Sequence, residues 1–211
     1  MTLDLSLLPD GGVAWLDASG ESSDVVLSSR VRLARNVEGY AFPPRARDAE
    51  RQRVLAQVRE AVRNVPSLQG GLLLRVEELT PVERLLLHER HLVSRELAGI
   101  DQQHGVRSGA AVLLSEAAGV MVNEEDHLRL QALRSGFQLP EAYAAAADVD
   151  RRLGEEVPYA FHDEFGFLTA CPTNVGTGMR ASVLIHLPGL VLLKEITKVL
   201  AGLQQMGLTY R

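Results

Sequence analysis

Residues 109–129 read GAAVLLSEAAGVMVNEEDHLR, and the first part of this stretch decides the fold class. Two short apolar runs, 110–115 and 119–123, flank Glu116-Ala117-Ala118, which predicts a β-hairpin. Upstream, 71–79 is strand-like, and Thr80-Pro81-Val82-Glu83 joins a capping box to a proline at the first helical position, predicting a helix start. Val54, Val58, Val62 and Val65 recur every three or four residues, so 46–65 is expected to be an amphipathic helix stopped by Pro66. A Val- and Leu-rich strand is expected over 24–33, a Pro43-Pro44 loop over 39–45 and an Ala-rich helix over 139–152. A further strand over 165–170 and an amphipathic helix over 190–206 complete the pattern. Strands and helices mix without regular βαβ alternation. The expectation is therefore an α+β domain, a mainly antiparallel β-sheet flanked by helices, packed on one side. Residues 1–20 read as a lead-in whose Trp15 docks on the domain, and 21–211 as a single catalytic unit without repeat or linker.

The chain of 211 residues is long enough for one substantial core. A net charge of −5 gives no general attraction to nucleic acid or to an anionic membrane, so any anion site must come from local clustering of basic residues. The single cysteine excludes an intramolecular disulfide and a multi-cysteine zinc site. The start is acidic and broken by proline and glycine, unlike a signal peptide, and a cytoplasmic location is expected.

Three segments carry chemistry. In Ser28-Ser29-Arg30-Val31-Arg32, a strand puts Arg30 and Arg32 on one face, roughly 6.5–7 Å apart, a spacing that suits adjacent phosphates. The plain alternative is a solvated sheet face. In Asn123-Glu124-Glu125-Asp126-His127-Leu128-Arg129, three acids leave an apolar strand. They form either a solvated turn or a carboxylate grip on a cation, since a guanidinium presents its N–H donors in a plane that a carboxylate binds with two prongs. Arg129 offers a further phosphate contact. His127 reads as a locally hydrogen-bonded residue, because no second His or Cys stands at a ligand spacing. In Cys171-Pro172-Thr173-Asn174-Val175-Gly176-Thr177-Gly178-Met179-Arg180, a strand ends at the cysteine, a polar loop follows, and 180–183 begins a helical or turn segment. The loop has neither the Walker A order nor the dinucleotide glycine spacing. A lone cysteine is ordinarily a small buried hydrophobe.

Together, SSRVR, VNEEDHLR and CPTNVGTGMRASV resemble, in this order, the signature segments of the guanidino kinases. The stretch EEVPYAFHDEFGFLTACPTNVGTGMRASVLIHLPGL resembles their bacterial protein-arginine kinase branch, as does the early position of SSRVR. The resemblance covers roughly 20–211. It implies an antiparallel sheet akin to that of glutamine synthetase, and phosphoryl transfer from ATP, with Mg²⁺ held mainly through the phosphates, to arginine side chains of protein substrates. By the same resemblance Arg30, Arg32, Arg129 and Arg180 hold the nucleotide phosphates. Ser28, Ser29 and Val31 belong to the first nucleotide segment, Ala181, Ser182, Val183 and Leu184 to the later one, and His91 matches a nucleotide contact. Glu125 matches the substrate carboxylate and Cys171 the cysteine beside the guanidinium, with no dedicated metal ligand. A zinc-binding activator and Clp protease components are partners implied in the same way, with no nucleic-acid or membrane partner. The family pattern would continue from Arg211 into a glycine-rich R-G-x-Y-G-E loop, so a fragment, a split gene product or a degenerate copy is expected. A nucleotide- or arginine-binding adaptor and a free-arginine kinase are the alternative readings.

Overall fold

The structure is a computed structural model describing residues 8, 13–100, 105–115 and 118–210. Most of the lead-in, the Glu116-Ala117 pair of the hairpin and Arg211 lie outside the described residues.

The main sheet has six strands in the order β2-β3-β4-β5-β1-β8, every neighbouring pair antiparallel. They are β1 (Val26–Arg35), β2 (Leu72–Arg75), β3 (Ala111–Leu114), β4 (Gly119–Val122), β5 (Leu128–Ser135) and β8 (Met179–Ile185). A separate two-stranded ribbon joins β6 (Phe161–His162) to β7 (Gly166–Phe167). The helices are α1 (Asp48–Val62), α2 (Pro81–Glu89), α3 (Leu139–Glu156), α4 (Pro188–Leu192) and α5 (Ile196–Gln205). None of the described helices is long and apolar enough to cross a membrane.

Strand alternation sends successive side chains to opposite faces, and both faces are used. On one, Val31, Leu33, Leu113, Val120, Leu128 and Leu130 pack against α1 and α3 through Val54, Val58, Ala146, Val149 and Leu153. On the other, Val112, Leu114 and Met121 pack against Leu87 of α2, Val93 and Leu97. Burial on both sides explains why β3 and β4 read as unbroken apolar runs rather than alternating ones. It also corrects the expectation of helices on one side only. The second layer covers only the β2–β4 end. Over β5, β1 and β8 that face carries arginines.

The hairpin forms as expected, with Val112 opposite Met121, and Thr80 and Glu83 cap α2 reciprocally. Four expectations need correction. The strand expected over 71–79 stops at Arg75, and Val76–Glu78 closes as a 3₁₀ turn. The strand expected over 165–170 shrinks to Gly166–Phe167, because beyond it the chain bonds sideways. Phe167 pairs with Gly176, and Leu168 donates to Ala160 O at 2.9 Å. Residues 180–183 are strand, not helix or turn, since β8 pairs along β1 from Met179 to Ile185. The helix expected over 190–206 breaks at Lys194, whose φ of 59° ends α4 before α5 begins. Strand β5 had no counterpart in the sequence reading, yet it joins the hairpin to β1. Trp15 docks as expected, in a 3₁₀ turn at Ala14–Leu16.

Candidate nucleotide and guanidinium site

Strand pairing builds the cationic face. Across β1 and β8, Arg32 stands opposite Arg180 and Arg30 opposite Ser182. Across β1 and β5, Arg32 stands opposite Gln131 and Ala34 opposite Arg129. Residues facing one another in an antiparallel pair share a face, so Arg30, Arg32, Arg129 and Arg180 converge, with Ser28, Ser182 and Leu184 on the same side. The other members of the two segments expected at the nucleotide turn away. Val31 is in the core, Ser29 Oγ donates to Gly136 O at 2.8 Å and accepts from Gln138 N, and Ala181 lies opposite Val31 and Val183 opposite Ser29. Their side chains line the helix-covered side, away from the arginines.

Four guanidiniums on one face repel one another. Burial is the first cause that pushes the Arg32 pKa down, to about 9, and Arg129, Arg30 and Arg180 add to it. Its buried Nε has no hydrogen-bond acceptor. Arg129 is partly neutralised by an ion pair with Glu124, which is only 2% exposed and whose carbonyl also accepts from Arg107. Such a cluster concentrates N–H donors and positive charge for a polyanion, and the residues present fit nucleotide phosphates.

His91 lies at the edge of this face. Burial, then Arg30 and His88, lower the pKa of its imidazole. Gln131 Nε2 donates to its carbonyl at 2.6 Å.

The two residues expected on the substrate side lie where two loops meet. Asp126 Oδ1 accepts from Ala170 N at 2.6 Å and from Asn36 Nδ2 at 2.6 Å. Asn36 also donates to Leu168 O at 3.1 Å, and its Oδ1 accepts from His127 N at 2.9 Å. Glu125 precedes Asp126 and Cys171 follows Ala170, so this knot brings the two predicted substrate-side residues into one neighbourhood. Glu125 is half-buried, and burial, with Glu124 and Asp126 beside it, raises its pKa. Cys171 is half-buried, its Sγ 3.0 Å from Thr173 Oγ1. His127 is fully buried. Its Nδ1 accepts from Val37 N at 3.1 Å, and burial pushes its pKa down to about 4, consistent with a structural neutral imidazole.

Behind the knot, Arg35 clips β1 to α3. It forms a buried bidentate pair with Asp150 at 2.7 and 2.9 Å, lies 3.6 Å over the Phe167 ring and donates to Thr177 O at 2.9 Å. That last bond fixes the loop between Cys171 and Arg180. Sequence reading missed Asn36, Glu124, Asp126 and Arg35. The acids belonged to a marked triplet, whereas nothing local distinguishes Asn36 or Arg35. An apolar cleft of about 570 Å³ lies on the opposite face, lined by Val31, Leu33, Tyr143, Ala147, Met179 and Ala181 among others. It is remote in character from the arginine face and is not the phosphate site.

Residues 53–211 match the family described as ATP:guanido phosphotransferase, C-terminal catalytic domain. The chain is 44% identical over 214 aligned positions to protein-arginine kinases of Bacillus cereus (strain G9842) and Bacillus anthracis (strain A0248), covering 100% of this chain. It spans 58% of the length of these curated relatives. Among solved structures, the duplicated taurocyamine kinase from Schistosoma mansoni with bound transition-state-analogue components superposes with a TM-score of 0.73 at 25% identity, covering 95% of this chain and 28% of that one. Lombricine kinase gives 0.67 at 22% identity, covering 97% of this chain and 58% of that one, a likeness of fold.

Proposed function

This chain belongs to the ATP:guanido phosphotransferase family, and from that premise we propose that it transfers the γ-phosphoryl group of ATP to arginine side chains of proteins. One observation carries the reading: the arginine face of β5, β1 and β8 adjoins the Asp126–Ala170 knot that presents Glu125 and Cys171. A polyanion fits the first, a guanidinium the second. The relatives named protein-arginine kinase support a protein acceptor over free arginine.

Phosphoryl transfer passes through a loose transition state, so alignment and charge neutralisation supply most of the rate. Arg30, Arg32, Arg129 and Arg180 bind the phosphate oxygens and offset charge that develops on them. Mg²⁺, when bound with the nucleotide, screens the phosphates, and the donors present suit a metal held mainly by phosphate oxygens and water. A terminal guanidinium nitrogen forms the new N–P bond while the bond from γ-phosphorus to the bridging oxygen breaks and ADP leaves. The guanidinium stays protonated far above neutral pH, so no carboxylate deprotonates it beforehand. Its proton becomes acidic as the nitrogen bonds to phosphorus, and Glu125 accepts it late. Cys171, next to Ala170 of the same knot, orients the planar group.

The test is incubation of the full chain with MgATP and an arginine-rich protein, followed by detection of acid-labile phosphoarginine. Glu125→Gln and Cys171→Ala are each expected to lower the rate by about 10²-fold or more with the fold retained. Wild-type rates in both would refute the acceptor assignment. MgATP binding without phosphoarginine would reduce the protein to a binding module, and strong competition by free arginine would move the acceptor to the small molecule.

A further inference from the structure

The turn after α2 is built at some expense. His91 N donates to His88 O at 2.9 Å and Leu92 N to Leu87 O at 3.0 Å, closing the helix end through a residue in the left-handed conformation, His91 at φ 60°. That position usually takes glycine, because a side chain there is strained. The histidine is nevertheless held from three sides. Gln131, opposite Arg32 on the sheet, donates to its carbonyl. Trp15 lies against its ring, with centroids 4.8 Å apart and planes tilted 55°. The Trp15 indole Nε1 donates to the neighbouring carbonyl, Arg90 O, at 3.2 Å. Trp15 is itself 9% exposed, so it touches His91 but offers little surface to a ligand.

Strain that is retained and clamped is a mark of a side chain needed in one place. On the reading of the arginine face as a nucleotide site, we propose that Trp15 is a positioning residue for the nucleotide: it fixes the His91 imidazole beside Arg30, and so makes the N-terminal segment part of the nucleotide site. The indole supplies two restraints at once. Its ring limits the imidazole's rotation, and its N–H pins the peptide before His91. A preorganised contact binds more tightly because less freedom is lost on association.

Trp15 is the one tryptophan of the chain, so its fluorescence reports on this contact alone. The full chain is titrated with MgADP, with emission and heat of binding followed together. The wild type is expected to show an emission change that saturates at the calorimetric Kd. Trp15→Ala is expected to raise that Kd about tenfold, and Trp15→Phe, which keeps a ring and loses the N–H, about threefold. Affinity for an arginine-containing acceptor peptide should be unchanged in both. Because Trp15 acts through His91, Trp15→Ala combined with His91→Ala should bind MgADP no more weakly than His91→Ala alone. A wild type that does not bind MgADP sinks the nucleotide reading and the proposal with it. MgADP binding with a silent tryptophan and unaltered affinity in Trp15→Phe, or additive losses in the double variant, overturns the role of Trp15 while leaving the nucleotide site standing.

Discussion

Asp126 accepts the backbone N–H of Ala170 through Oδ1 at 2.6 Å, joining two loops that are far apart in the sequence. The same oxygen accepts from Asn36 Nδ2. One carboxylate oxygen thus holds the loop after β4, the loop after β7 and the end of β1 together, with Glu125 and Cys171 on either side of the bond.

Replacing Asp126 tests that knot. Asp126→Ala leaves two N–H donors unpaired, each costing about 1–3 kcal/mol, so a loss of about 2–6 kcal/mol is expected in urea unfolding. Asp126→Asn keeps an acceptor oxygen and sheds a charge whose pKa burial raises. It should cost far less near neutral pH. Equal losses in the two variants would show that the charge, not the acceptor, matters.

The proposed proton-accepting role of Glu125 gives a pH dependence of activity. Its pKa is raised by burial, Glu124 and Asp126, so its proton-accepting form is lost as pH falls through a value above the ordinary 4.5. The acid limb of kcat/KM is expected above that value and should move down in Glu124→Gln, which removes a neighbouring negative charge. For stability the sign is opposite. A raised pKa favours the fold at low pH and disfavours it as pH rises through the folded value, so Glu125→Gln should unfold at slightly higher urea than wild type at pH 7.

The arginine face should trade stability for binding. Two like charges about 5 Å apart repel by on the order of 3 kcal/mol at an effective dielectric of about 20, less where solvent screens them. Arg32 stands opposite Arg180 and is crowded by Arg30 and Arg129. Arg32→Met is expected to raise the ligand-free thermal midpoint while weakening MgATP binding about a hundredfold. Addition of MgATP should raise the midpoint of wild type more than that of the variant. A lowered ligand-free midpoint would refute the repulsion.

His127 should govern part of the acid stability. Its pKa falls from 6.5 to about 4 on burial, so the unfolded chain binds the proton more readily between those values. Stability is full above pH 6.5 and drains away as pH drops towards 4, by up to about 3 kcal/mol. In His127→Asn, whose side-chain oxygen can replace Nδ1 as acceptor for Val37 N, the slope of stability against pH over that interval should flatten.

Local patterns were legible where local forces act. The Thr80 capping box and the 110–123 hairpin are both present as read. Alternation placed Arg30 and Arg32 on one face without structural help. Residues 180–183 carry no local strand signal, because their strand character comes from pairing with β1, a partner far away in sequence. Over 190–206 the apolar spacing continues through Lys194, while the helical backbone does not.

The sequence by itself determined that arginines suited to a polyanion are spaced along one strand face, since charge and donor geometry belong to side chains. Glu125 and Cys171 for a guanidinium are what the resemblance to the guanidino kinases implies. Only the tertiary structure decided which residues of different strands share a face, which charge Glu124 offsets at Arg129, and how Asn36, Asp126 and Trp15 hold the parts in register. Those relations depend on strand register and on hydrogen bonds between segments tens of residues apart. Such partners leave no periodicity in the chain, and they exist only once the sheet has brought them together.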